Sequence, residues 1–375
     1  MWPSDDQTCT SSIDDPPSPP PPLRHHCVAT LKGHTSYTSA LALAGEHLFT
    51  GSSSGQIHRA GLTSLPHHQT LPDDAMIAAG EGAVKALVAS SGKLITAHQD
   101  HKIRVWSVDH AAGNQHQRIT QLATLPTLSD RAVKLLLPGN HVRVRRHKTS
   151  TWVHHVDAVS ALALSGDESL LYSVSWDRTL KIWRTADFKC LESVADAHDD
   201  AINAVALSGN GAVYTGSSDG KIKVWTRRQG EKAYSLAATL TKHKAGINTL
   251  AMSHDGAVLY SGASDRLVCV WRSDGAGGGM AAVAALRGHA KAVLCLAAVA
   301  DMVCSGSADQ TVRVWRSGIG KSSYACVAIL QGHRGPIKCI AVALDHTCST
   351  AFLLYTAALD CDIKIWRLIM PHSIR

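Results

Sequence analysis

Along most of this chain apolar and polar residues alternate in short runs, the period-two pattern of half-buried β-strands. Six of those runs close on the same ending, apolar-x-apolar-Trp: IRVW at Trp106, LKIW at Trp183, IKVW at Trp225, VCVW at Trp271, VRVW at Trp315 and IKIW at Trp366. Six residues before each tryptophan stands an aspartate, at Asp100, Asp177, Asp219, Asp265, Asp309 and Asp360. A fixed offset of that length predicts a turn followed by a strand. Four residues before each aspartate comes a hydroxyl (Thr96, Ser173, Thr215, Ser261, Ser305, Thr356), usually ending an apolar run such as AVYT or VLYS, which predicts the preceding strand. Further upstream a histidine precedes an apolar residue by four: His155 and Val159, His198 and Ile202, His243 and Ile247, His289 and Val293, His333 and Ile337. Each histidine is thus followed by three strands.

The last four tryptophan intervals are 42, 46, 44 and 51 residues, close to the roughly 40 to 45 residues of one four-stranded propeller blade. On the motifs GHAKAV…CSGSADQTVRVW and DAHDDAI…YTGSSDGKIKVW the chain resembles the WD-repeat family over about residues 28 to 368. More narrowly, TAHQDHKIRVW, LYSVSWDRTLKIW, AHDDAI and AVLCLAAV are similar to the plant Jingubang-type WD-repeat proteins. The likeness implies an all-β, single-domain propeller that binds proteins. In one respect the pattern departs from the family: the residues after the strand-ending tryptophans are Ser107, Arg184, Thr226, Arg272, Arg316 and Arg367, never aspartate. The family's ubiquitin-ligase substrate receptors lean on Trp-Asp-x-Arg, so that role is disfavoured.

Blade counting gives seven. Ahead of the six clear units lies an eroded one, GHTSYTSALAL then LFTGSSSG, with Ser54 where aspartate is expected and Ala60 where tryptophan is. Blade 1 is therefore expected to be the loosest. Trp106 to Trp183 spans 77 residues, too many for one blade and too few for two. VRVR at Val142 to Arg145 is a candidate strand end of a decayed eighth blade, but Gly139 occupies its aspartate offset and no SGS-like run precedes it. The sequence is read instead as a basic insertion, 107–158, between blades 2 and 3, with the chain after Trp106 passing directly to the outer edge of the blade that ends at Trp183. A disordered tail is expected over 1–25 and the propeller over 26–370. The segment HCVATLK from His26 supplies the outer strand that the last unit lacks, so the first strand is expected to complete blade 7 and close the ring.

Composition narrows the function. With 45% apolar and 18% charged residues the chain can bury a core. No run of 18 apolar residues is present, and Met1 to Asp15 carries four aspartates rather than a basic then apolar leader, so the expected place of action is cytosol or nucleus. The ten cysteines lack any CxxC and read as reduced core thiols. Histidine, hydroxyl, aspartate and tryptophan recur in nearly every unit, whereas a catalytic triad is needed once. His198, Thr215, Asp219 and Trp225, and likewise His289, Ser305, Asp309 and Trp315, are therefore assigned to structural networks that satisfy buried polar groups. No catalytic residue, cofactor or metal site is expected: the 22 histidines match no zinc spacing, and Gly275 to Gly279 precedes no helix that would cradle a phosphate.

Three binding readings follow. The family likeness implies a top face lined by the residue before each turn aspartate and by residues three and five after each histidine. Here that set includes Tyr37, Lys85, Gln99, Trp176, Asn203, Asn248, Leu294, Lys338 and Leu359. Trp176 stands out, because a tryptophan between Ser175 and Asp177 in a turn has no strand face to bury it; it either anchors a partner or folds down over the neighbouring loops as packing. The basic run His141 to Lys148, with Arg143, Arg145, Arg146 and Lys148, suits a polyanion such as nucleic acid or phospholipid, or a charged edge strand that resists aggregation. Pro16 to Pro22 (PPSPPPP) suits a proline-motif reader, with Ser18 a candidate phosphorylation point, or simply a solvating tail.

Overall fold

The computed structural model describes residues 23–62, 68–70, 76–90, 92–108, 119–128, 130, 141–145, 148–227, 230–231, 233–273, 279–318, 323–345, 348 and 350–370. It is an all-β, seven-bladed propeller. Blade 4 shows the unit plainly. Its strands Ile202–Leu207, Val213–Ser217, Lys221–Thr226 and Ser235–Thr241 run antiparallel from the inner to the outer edge. The middle strand Val213–Ser217 is buried at every position, because neighbouring blades cover both of its faces. The outer strand carries exposed residues, as an edge facing solvent does. The innermost strands of successive blades pack against one another all the way round, including blade 7 against blade 1.

Blade 7 is sewn together from both ends of the chain. Its inner strands Ile337–Leu344, Ala351–Ala358 and Ile363–Ile369 take Arg24–Lys32 as their fourth, antiparallel to Ile363–Ile369. Ala29 and Leu31 of that strand are buried, which ties the first strand to the last by side-chain packing as well as by backbone bonds. The strand starts at Arg24, inside the span 1–25 read as tail, because the Leu23 amide donates to the Val327 carbonyl (3.0 Å) and the Leu23 side chain is buried. The proline run and Ser18 lie outside the described residues.

The insertion is smaller than its predicted span 107–158. Ile119–Leu125, within that span, pairs antiparallel with Ile103–Val108 and is the outer strand of blade 2 itself. The chain after Trp106 therefore does not cross to the blade ending at Trp183, whose outer strand is Cys190–Val194. The physical reason is that the free edge of Ile103–Val108 presents unpaired amides and carbonyls, and the nearest following strand satisfies them. The basic run forms a separate two-stranded ribbon, His141–Arg145 with Lys148–Thr151, belonging to no blade. Its register shifts between Arg143 and Arg145. Arg146 lies outside the described residues.

Among the described residues four cysteines, Cys190, Cys269, Cys295 and Cys304, are buried and outside any disulfide. Burial pushes Cys269, Cys295 and Cys304 up to about 12, so they pack as small apolar groups rather than as nucleophiles.

Candidate functional site: the polar networks, the top face and the channel

In blades 3 to 7 one hydrogen-bond chain recurs. Trp183 Nε1 donates to Ser173 Oγ (2.8 Å), which bonds His155 Nε2 (2.8 Å), while His155 Nδ1 bonds Asp177 (3.2 Å). In blade 4 the same steps join Trp225, Thr215, His198 and Asp219 at 2.9, 2.7 and 2.9 Å. In blade 6 Trp315, Ser305, His289 and Asp309 are joined at 2.8 Å throughout. Blades 5 and 7 repeat it with His243 and His333. An ionised carboxylate can only accept, so Nδ1 carries the proton that faces it; in the neutral ring Nε2 is then the acceptor, and the hydroxyl donates to it while accepting from the indole. Burial lowers the pKa of His155, His198 and His289 despite their aspartates, and the rings stay neutral. Each aspartate also accepts one backbone amide from the incoming loop and one from its own turn: Asp177 takes those of Val156 (2.8 Å) and Thr179 (2.9 Å). These chains tie the turn, the incoming loop and the third strand of a blade together, and none offers a nucleophile to solvent.

Blades 1 and 2 solve the same problem differently. Gly80 stands four residues before Val84, where the other blades hold histidine. The ring that reaches Thr96 comes instead from the same strand: His98 Nε2 bonds Thr96 Oγ1 (2.7 Å), which accepts from Trp106 Nε1 (3.0 Å). A Cβ on Gly80 would lie 2.8 Å from His98 Cε1, so the glycine makes the room that the substitute histidine fills. Asp100, relieved of a histidine partner, takes a fork from Arg104 (3.1 and 2.5 Å). Gly80→Ala is accordingly expected to cost about 1 to 2 kcal/mol, by forcing His98 off its hydroxyl; an unchanged denaturation midpoint would contradict this. Blade 1 keeps His34 Nε2 on Thr50 Oγ1 (2.7 Å) but has no indole. His58 lies edge-on to His34 instead, with ring centroids 4.3 Å apart. His34 Nδ1 and both His58 nitrogens are buried without a hydrogen-bond partner among the described residues.

The top face is assembled by one more repeated device. Each inner strand opens on a β-bulge, and the extra residue is Ser39, Lys85, Ser160, Asn203, Asn248, Leu294 or Lys338 in blades 1 to 7. A bulge re-aims a side chain, and all seven line the central channel, of about 290 Å³. Several reach the next blade. Ser39 Oγ donates to the Val84 carbonyl, Ser160 Oγ to that of Ile202, Asn203 Nδ2 to that of Ile247 (2.8 Å) and Asn248 Nδ2 to that of Val293 (2.8 Å). In blades 6 and 7 the neighbouring thiols make the step, Cys295 to Ile337 (3.7 Å) and Cys339 to Thr38 (3.8 Å). Among the described residues only the step from blade 2 to blade 3, at Lys85, lacks such a bond.

Outside this ring lie the residues before each turn aspartate. Their amides bond the carbonyl at the entry to the inner strand: Gln99 to Ala83 (2.9 Å), Trp176 to Ala158 (3.1 Å) and Leu359 to Pro336 (3.0 Å). The backbone is thus fixed while the side chains are left free to vary. Trp176 is 40% exposed and Leu359 43%. Lys85 Nζ sits 5.1 Å from the centre of the Trp176 ring, within reach of a cation–π contact. Gln99 and Lys338 are exposed, while Tyr37, Asn203, Asn248 and Leu294 are half-buried. The residues missed from sequence are His98, hidden because it lies on the wrong side of its hydroxyl, and the two thiols that replace polar donors. The glycine at position 80 was the signal that could have exposed the first.

A model of the WD domain, G-beta repeat, matches residues 146–184, 188–226, 234–272, 281–316 and 324–367, just over half of the chain. Those five segments hold the five complete histidine-to-tryptophan chains. Protein ROOT INITIATION DEFECTIVE 3 of Arabidopsis thaliana is 33% identical over 108 residues, 28% of this chain and 24% of that protein. Small ribosomal subunit protein RACK1 of Drosophila melanogaster is 33% identical over 102 residues, 26% of this chain and 30% of its own length. The chain spans less than a third of the length of these curated relatives. Five matched repeats, set in a closed ring of seven blades, make the chain a member of the WD-repeat family.

Proposed function

We propose that this protein is a non-enzymatic scaffold or adaptor that gathers regulatory partner proteins on the top face of its propeller, acting in cytosol and nucleus as a plant regulatory protein of the Jingubang type. The observation that carries the reading is Trp176, a 40% exposed indole on a hydrogen-bonded turn, with Lys85 Nζ over its ring. Large aromatic side chains held out on a rigid frame lose little entropy on binding and are the commonest interface anchors. Trp176→Ala should weaken partner binding by more than about 1 kcal/mol and leave the melting temperature nearly unchanged. Proximity labelling with wild type, Trp176→Ala and a bottom-face control variant tests it: the top-face variant loses partners that the control keeps. An identical partner set in all three, or a large loss of stability in Trp176→Ala, would overturn the reading.

A second reading has its own support, since the basic ribbon 141–151 stands apart from every blade. Retention on a polyanion column that falls with salt, and vanishes when Arg143, Arg145 and Arg146 become alanine, would establish it.

A further inference from the structure

The mouth of the central channel is electrostatically one-sided. Among the described residues its lining includes two lysines, Lys85 from blade 2 and Lys338 from blade 7, and neither aspartate nor glutamate. Blade 1 lies between them and contributes Ser39, whose hydroxyl is spent on the inter-blade bond. Neither lysine makes an ion pair among the described residues, although the surface lysines Lys102 and Lys221 both find aspartates close by. Burial lowers the pKa of Lys85, and the charge of Lys338 lowers it further, so the two ammonium groups already feel each other. Like charges brought together at the top of a low-dielectric channel raise the local potential and draw in an anion. The polar groups that would otherwise soften this field, the Asn203 and Asn248 amides, are turned to backbone carbonyls of the next blade.

We propose that this mouth takes the carboxylates of an acidic segment of a partner protein, held between Lys85 and Lys338, with an apolar residue of the same segment resting on Trp176. The inference rests on the top-face reading and names the chemistry of its partner. A peptide fits better than a free phosphate for two reasons. Lysines are point charges without the planar fork or the nest of free amides that phosphate sites build, and the indole beside Lys85 offers an apolar shelf that phosphate cannot use. The site also lies on a different element from the basic ribbon, so the two can be separated by mutation.

The test uses the full chain and a fluorescein-labelled octaglutamate peptide, followed by anisotropy. Wild type binds octaglutamate in a salt-dependent manner and octaglutamine much less. Lys85→Met with Lys338→Met weakens octaglutamate at least about tenfold, whereas Lys85→Arg with Lys338→Arg, which keeps both charges, retains it. Arg143→Ala with Arg145→Ala also retains it. The proposal is overturned by equal binding of octaglutamine, by a folded Met double variant that binds like wild type, by loss only in the ribbon variant, or by inorganic phosphate displacing the peptide at lower concentration than octaglutamate itself. If the Met double variant loses the peptide while Trp176→Ala keeps every partner, the site stands and the top-face scaffold reading falls. The opposite pair of results removes the site and leaves that reading.

Discussion

Asp177→Ala lowers the unfolding free energy by about 3 kcal/mol. The carboxylate is 2% exposed and serves four donors: His155 Nδ1 (3.2 Å), the Val156 amide (2.8 Å), the Thr179 amide (2.9 Å) and the Thr179 hydroxyl (2.6 Å). Alanine leaves them unpaired in a space that water enters poorly. Each orphaned buried donor costs roughly 1 to 3 kcal/mol, reduced where the turn can rehydrate, which the Thr179 groups at the rim do more easily than the histidine. The equivalent Asp309→Ala, in a side chain 11% exposed, should cost about 1 to 3 kcal/mol for the same reason with better access to water. Ser54, at the matching position of blade 1, bonds Ser52 through its hydroxyl (2.9 Å), while its backbone amide donates to Ser36 Oγ (3.0 Å) and survives truncation, so Ser54→Ala should be nearly neutral. Denaturant titration of the three variants checks the order; an Asp177→Ala protein as stable as wild type would show that these networks do not hold the blades.

Between pH 6.5 and 4.5 the protein should lose about 4 kcal/mol of stability through two histidines alone. His34 and His98 are both held down to about 4 from an ordinary 6.5, His34 by burial and then by the neighbouring His58, His98 by burial and then by Arg104. Above pH 6.5 both rings are neutral in either state. As pH falls from 6.5 towards 4 the unfolded chain takes up protons that the folded one refuses, so folding weakens throughout that window, and below about 4 no further loss accrues from these two. Each unit of difference is worth about 1.4 kcal/mol, hence about 3 kcal/mol for each ring over the full window. The aspartates act elsewhere on the scale. Burial would raise Asp309 and Asp360, but their hydrogen bonds to side chains and amides win and bring both to about 2, so their stabilisation is present above about 4 and is lost only as pH falls through 2. A denaturation free energy that is flat between pH 6.5 and 4.5 would show that blades 1 and 2 accept charge on these histidines. His34 is also the ring whose Nδ1 has no partner, so blade 1, beside the closing seam of blade 7, is where acid should open the ring first.

The repeat was legible in the sequence because each of its residues answers a local demand. A strand that must bury both faces reads as continuous apolar residues, a tight turn selects aspartate, and a buried indole N–H requires a hydroxyl at a fixed register across the neighbouring strand. Trp225 and Thr215 meet because their strands pair antiparallel, with Val213 opposite Trp225, so an offset of 10 residues in sequence becomes one hydrogen bond in space. The closing strand was legible too, since the last unit lacked an outer strand and the first segment supplied one. Only the tertiary structure could decide what happens where the pattern lapses. His98 replaces the histidine missing at position 80 because its ring, two residues beyond Thr96 on the same strand, turns into the space that Gly80 leaves, and the repeat pattern does not encode a substitution made from the far side of the hydroxyl. The span after Trp106 was read as insertion because 77 residues are too many for one blade and the motif residues of a further one are missing; the place of Ile119–Leu125 in blade 2 is fixed by the free edge beside it. The pairing of Lys85 with Lys338 is likewise a product of ring closure. Two residues more than 250 apart along the chain line one channel only because seven similar wedges complete a circle, and the field they share depends on that closure rather than on any local motif.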